Sequence, residues 1–99
     1  MTKPAAGDVR NNEAKSRFEI DLPDGEVGIA EYRLLDDRII FIHTFVPHAD
    51  ENHGYGGALA EAGLAFARRQ GLKVVPQCPF FAAWIARHPE HQDLVLREA

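Results

Sequence analysis

Apolar and polar positions alternate along Phe18-Glu19-Ile20-Asp21-Leu22, the period of a half-buried strand. Pro23-Asp24-Gly25 supplies turn chemistry, and Val27, Ile29, Tyr32 and Leu34 begin a second strand. Asp36-Asp37 turn the chain again into Arg38 to Val46, the most apolar of the three and rich in Ile and Phe. Short turns between strands predict an antiparallel meander. After a polar stretch and three glycines the period changes to the helical one. Leu59, Ala62, Gly63, Phe66 and Ala67 recur at spacings of three and four, and Gly71 stands at the stop. Leu72 to Val75 reads as a short strand ended by Pro76, joined through the helix and hence parallel to the third strand. Cys78-Pro79 opens a second helix with Phe80, Ala83, Trp84 and Arg87 at helical spacing, closed by Pro89. The pattern predicts an α+β or α/β domain, βββαβα on one mixed sheet: an antiparallel three-stranded meander, a crossover helix and a second helix, with helices covering both faces of the central strands. Residues 1–15 are polar and aperiodic and predict a mobile N-terminal tail, leaving one domain over 16–99.

Composition narrows the class. A net charge of −4 and the absence of any Lys/Arg run argue against a nucleic-acid binder. Cys78 is the single cysteine, which suits a reducing compartment. The first residues lack the apolar core of a signal peptide, and the longest apolar run is too short to span a bilayer. A cytoplasmic protein without membrane contact, monomeric or weakly dimeric, is expected. His48 and His53 lack the ligand set of a zinc site, so no metal is expected.

The candidate chemistry lies at Gly54-Tyr55-Gly56-Gly57, where strand gives way to helix. A helix mouth offers unpaired N–H groups at the positive end of its dipole, a ready phosphate site. A second reading is that these glycines only make a tight turn.

The order of elements, with the glycine mouth after the third strand, resembles the GNAT superfamily of acetyl-CoA-dependent N-acetyltransferases. Their phosphate loop has the pattern Gln/Arg-x-x-Gly-x-Gly/Ala; Glu51-Asn52-His53-Gly54-Tyr55-Gly56 keeps the glycines and puts Glu at its head. The chain is most similar to a subgroup of roughly hundred-residue acetyltransferase-like proteins. It carries their H-T-x-V-P at His43–Pro47, the glycine loop, P-x-C at Pro76-Gln77-Cys78 and H/N-P at His88-Pro89. Phe45 stands where members often carry Glu, so no base role transfers from that position.

The resemblance implies acetyl transfer from acetyl-CoA, with CoA as the carrier, to an amine acceptor of unknown identity. It places the pantetheine arm in a splay between the third strand and the next, against Phe45 and Val46. It places the pyrophosphate on N–H groups of His53, Gly54, Tyr55, Gly56, Gly57 and Ala58. An amine must lose a proton before attack, and His43 is the best-placed base, or else a strand histidine that merely holds a carbonyl. Cys78 follows the fourth strand and either accepts the acetyl group covalently or only packs. Tyr55 is expected to wall the cofactor, whereas Phe80, Phe81 and Trp84 are expected in the core or against adenine or pantetheine. The larger members' helices ahead of the glycine-loop strand have no residues here, so the acceptor site should be open, shallow or completed by another chain. A non-catalytic acyl-CoA-binding module is the alternative function.

Overall fold

The computed structural model describes residues 4–47 and 54–96. Five strands form one sheet in sequential order: β1 (Val9–Asn12), β2 (Arg17–Asp21), β3 (Val27–Leu34), β4 (Arg38–Phe45) and β5 (Lys73–Pro76). The first four are antiparallel neighbours, and β5 lies parallel to β4. The helices are α1 (Tyr55–Gln70) and α2 (Pro79–Arg87), followed by a 3₁₀ turn over Pro89–Leu94. The expected mixed sheet with a crossover helix and a second helix is present.

Two expectations fail. The meander has four strands, because residues expected to form a tail supply β1, flanked by 3₁₀ turns at Ala6–Asp8 and Glu13–Lys15. The domain therefore reaches back at least to Pro4. The strand was invisible to periodicity because its anchors are polar and its partners distant. Arg10 and Asn12 bond the Glu19 carboxylate at 2.9 and 3.1 Å, and Tyr32 donates its hydroxyl to Asn11 at 2.8 Å. Arg17 adds a third contact to Glu19 at 2.6 Å and is the main reason its carboxyl is held below the usual range.

The helices also cover one face of the sheet, not two. The Phe41 ring on β4 stacks on Phe81 of α2 with centroids 4.1 Å apart, and the same ring abuts Gly63 of α1, so both helices lie on its side. Extents of 43 × 30 × 20 Å leave room in the short direction for one sheet and one helical layer. The core lies between them: Phe18 and Ile20 from β2, Ala30 and Tyr32 from β3, Ile39 and Phe41 from β4, with Leu59, Leu64 and Ala67 from α1. Leu64 and Ala60 are fully buried beyond the stripe read from the sequence, whereas Ala62 and Phe66 sit half-buried at its margin. Close approach explains Gly63. A Cβ there would lie 2.8 Å from the Phe41 ring.

α1 starts at Gly54, whose φ of +89° is left-handed, and stops at Gly71, φ +69°. At the stop, the Gly71 and Leu72 N–H groups donate back to Arg68 and Ala67 and satisfy the last carbonyls. α2 starts at Cys78 with Pro79 in its first turn. The outer edge of β5 is covered by the chain end, where Leu96 N–H donates to Val74 and Val95 forms a bridge to it.

Candidate functional site

The start of α1 opens on a cleft of about 510 Å³. Gly54, Gly56, Gly57 and Ala58 form one wall, Phe80 and Trp84 of α2 with His88 just past its end the second, and Pro4 to Ala6 the third. Gly56 and Gly57 are needed for this assembly. A Cβ would stand 2.8 Å from the Phe80 ring at the first position and 2.6 Å from Trp84 at the second. The aromatic side is a ladder: Phe80 and Trp84 stack at 6.2 Å, and Trp84 and His88 at 3.9 Å. His88 donates its Nδ1 hydrogen to the Trp84 carbonyl at 2.8 Å, which fixes the ring. Phe81 alone of the three aromatics is fully core; Phe80 and Trp84 are half-buried and face the cleft.

Ala58 N–H donates to the Gly54 carbonyl at 3.0 Å and closes the first turn. The N–H groups of Tyr55, Gly56 and Gly57 precede that bond and have no intrahelical acceptor. They point the positive end of α1 at whatever enters. Ala58 is thus a wall residue, and the expectation that its N–H joins the donors is corrected. Glu61 also lines the cleft, its carboxylate 3.5 Å from His91 Nε2. Among the described residues of the cleft none is Lys or Arg, so attraction for an anion rests on the helix mouth. His53 and Glu51 lie outside the described residues.

A second feature begins at Phe41. Pairing between β4 and β5 runs from Arg38–Lys73 to Phe41–Pro76 and then ends. Cys78 N–H caps it by donating to the Phe41 carbonyl at 2.8 Å, after which the chain leaves into α2. From Ile42 to Phe45, β4 has no strand beside it on that edge among the described residues. A wedge therefore opens between β4 and the start of α2.

A bulge redirects the side chains at this wedge. Glu31 pairs with His43 but Tyr32 with Phe41, so Ile42 is the extra residue. Beyond it Thr44 turns inward and reaches Cys78 Sγ at 3.4 Å, and Cys78 is buried. His43 and Phe45 turn to the opposite, uncovered face, and both are exposed. The proposed base and thiol are thus not brought together. His43 is not a buried histidine holding a carbonyl either. Val46 is half-buried against Gly28 and the core. Thr44, the thiol's neighbour, carried no role in the sequence reading, although its place in the H-T-x-V-P run was visible.

Residues 17–94 match the family model described as GCN5-related N-acetyltransferase. The chain belongs to that family. A GCN5-related N-acetyltransferase fold is also found in the NMR solution structure of a GCN5-like candidate N-acetyltransferase from Staphylococcus aureus. It superposes with a TM-score of 0.68 at 26% identity, over 92% of this chain and 89% of that one. A search of curated proteins finds none that matches this sequence. Among the described residues no group of His, Cys, Asp and Glu is arranged to hold a metal, and no helix is long and apolar enough to cross a membrane. As an N-acetyltransferase domain the molecule is small. It has a glycine mouth, a wedge, and an uncovered sheet face.

Proposed function

We propose that this chain transfers the acetyl group of acetyl-CoA to an amine by direct attack on the thioester. The observation that carries the reading is the junction of two features: a helix mouth at Tyr55–Gly57 without intrahelical acceptors and, among the described residues, a β4 edge without a partner from Ile42 to Phe45. The first suits a pyrophosphate, held by N–H groups and the helix dipole. The second suits an extended, amide-bearing arm, held as an added strand would be, with Phe45 and Val46 supplying the backbone groups. The cleft beside the mouth is roomy enough for a nucleotide end, with Trp84 and Phe80 as an aromatic wall.

Acetyl-CoA supplies an activated carbonyl. The ammonium first gives one proton to a base; the amine nitrogen then forms the new C–N bond, the C–S bond breaks, and a second nitrogen proton passes to the departing sulfur, so that CoA leaves as the thiol. His43 is the base in this reading, reached from the uncovered face. Backbone N–H groups near Phe45 polarise the carbonyl. Cys78 serves the wedge as a packing residue: it is buried, and its side-chain partner is a threonine hydroxyl. The acyl-CoA-binding alternative draws support from the same exposure of His43, since a solvated base gains little from its site. Mass spectrometry of a mixed amine panel incubated with acetyl-CoA and protein separates the two. Acetylated amine formed in step with free CoA supports transfer, and tight CoA binding without product supports the module.

A further inference from the structure

The cleft beside the mouth of α1 is chemically two-ended. At one end the N–H groups of Tyr55, Gly56 and Gly57 are donors without intrahelical acceptors. At the other stand Glu61 and His88, which line the same cavity. Glu61 comes five residues after Gly56, about 7.5 Å further along the helix axis. Among the described residues its carboxylate makes no hydrogen bond, and His91 Nε2 stands 3.5 Å away. The His91 side chain is 13% exposed and that of Glu61 41%, so the carboxylate is the group a ligand meets. His88 gives its Nδ1 hydrogen to the Trp84 carbonyl, which leaves Nε2 of the neutral ring as an acceptor. Among the described residues, the polar side chains at this end therefore only accept.

A ligand that fills both ends needs an anionic group for the mouth and donors for the far end. Like charge keeps phosphate oxygens away from Glu61, which fixes the direction in which the ligand lies. Between the ends the walls are apolar: Phe80 and Trp84 on one side, Pro4 to Ala6 on the other. Such a space suits a planar ring that carries an amino group on its edge. Adenine is such a ring, since its exocyclic amine donates. Resting on the acetyl-CoA reading above, we infer that Glu61 reads the adenine of the donor by accepting a hydrogen bond from that amine. The helix mouth holds a pyrophosphate whatever base follows it. Glu61 is then the specificity-determining residue for the base.

The test compares CoA with the CoA analogue that carries unsubstituted purine in place of adenine. The analogue lacks the amine and adds no bulk. Isothermal titration calorimetry on the full chain gives both affinities. Trp84 is the single tryptophan and lines the cleft, so its indole N–H signal in the ¹⁵N-labelled chain should shift with either ligand. The wild-type chain should bind CoA about three- to tenfold more tightly than the purine analogue, the scale of one hydrogen bond. Glu61→Ala should bring that ratio to about one. Glu61→Gln keeps a carbonyl acceptor and should retain most of it. Glu26→Gln, at the exposed β2–β3 turn, should leave the ratio unchanged. A ratio near one in the wild-type chain would overturn the inference. So would an unchanged ratio in Glu61→Ala, even with both ligands bound more tightly, because the carboxylate would then act only through its charge. In both cases CoA binding and the indole shift would leave the acetyl-CoA reading standing. Binding of neither ligand would remove that reading, and the inference with it.

Discussion

Single residues decide the geometry of the wedge. Ile42 is the clearest case: one extra residue in β4 inverts the faces of everything after it, putting Thr44 beside Cys78 and His43 on the open side. A strict alternation drawn through Ile39 to Phe45 cannot show this, because a bulge depends on how two strands match and not on one strand's composition. The consequence for catalysis is testable. Under direct attack, Cys78→Ala should change turnover only modestly, whereas His43→Gln should slow it by roughly 10²–10⁴-fold, the range for a general base. Steady-state rates of both variants with the same amine check this, and an acetyl group trapped on Cys78 and passed to added amine would reverse the assignment. Gly63 is a second residue-scale case. Alanine normally stabilises a helix relative to glycine by up to about 1 kcal/mol. Here the added Cβ meets a fully buried ring, so Gly63→Ala should lower stability by about 1–3 kcal/mol. Thermal or denaturant unfolding gives the sign directly.

At the scale of elements, legibility followed the source of each element's stability. β2, β3, α1 and α2 bury apolar stripes, and the sequence displays those stripes. The short apolar run of β5 was legible for the same reason, bounded by Gly71 and Pro76. β1 is held by Arg10 and Asn12 on Glu19 and by Asn11 under Tyr32, contacts between positions far apart in the chain, so residues 1–15 read as a tail. This makes β1 sensitive to one carboxylate. Glu19 is nearly buried, and its pairing, chiefly with Arg17, holds its carboxyl below the ordinary range. A carboxyl lowered in the folded state adds stability above its unfolded pKa and loses it as pH falls through the folded value. Glu19→Gln should therefore cost about 1–3 kcal/mol near neutral pH. The gap from wild type should close as the pH drops below about 4, where both chains present an uncharged group. Urea unfolding at several pH values checks it, and a gap constant with pH would contradict the ion-pair account.

Across the whole molecule, the one-sided sheet is the feature that most separates structure from expectation. Both helices follow the glycine-loop strand and stack on each other through Gly56, Gly57, Phe80 and Trp84, which keeps them on one face. Among the described residues the other face carries no helix. The glycine mouth was legible as a strand-to-helix turn, and its fit to a phosphate came from the family resemblance. The aromatic ladder and the N-terminal wall of the cleft were not legible, since they depend on how α2 and Pro4–Ala6 dock. The central claim is that acetyl-CoA occupies the mouth of α1 and the wedge beside β4 together. Amide shifts of the ¹⁵N-labelled chain on adding acetyl-CoA test it most directly. The account predicts large shifts at Gly54 to Gly57 and at Phe45 and Val46, with pantetheine alone moving only the latter pair. Acetyl-CoA that leaves both groups unmoved, or that moves residues only on the open sheet face, would contradict it.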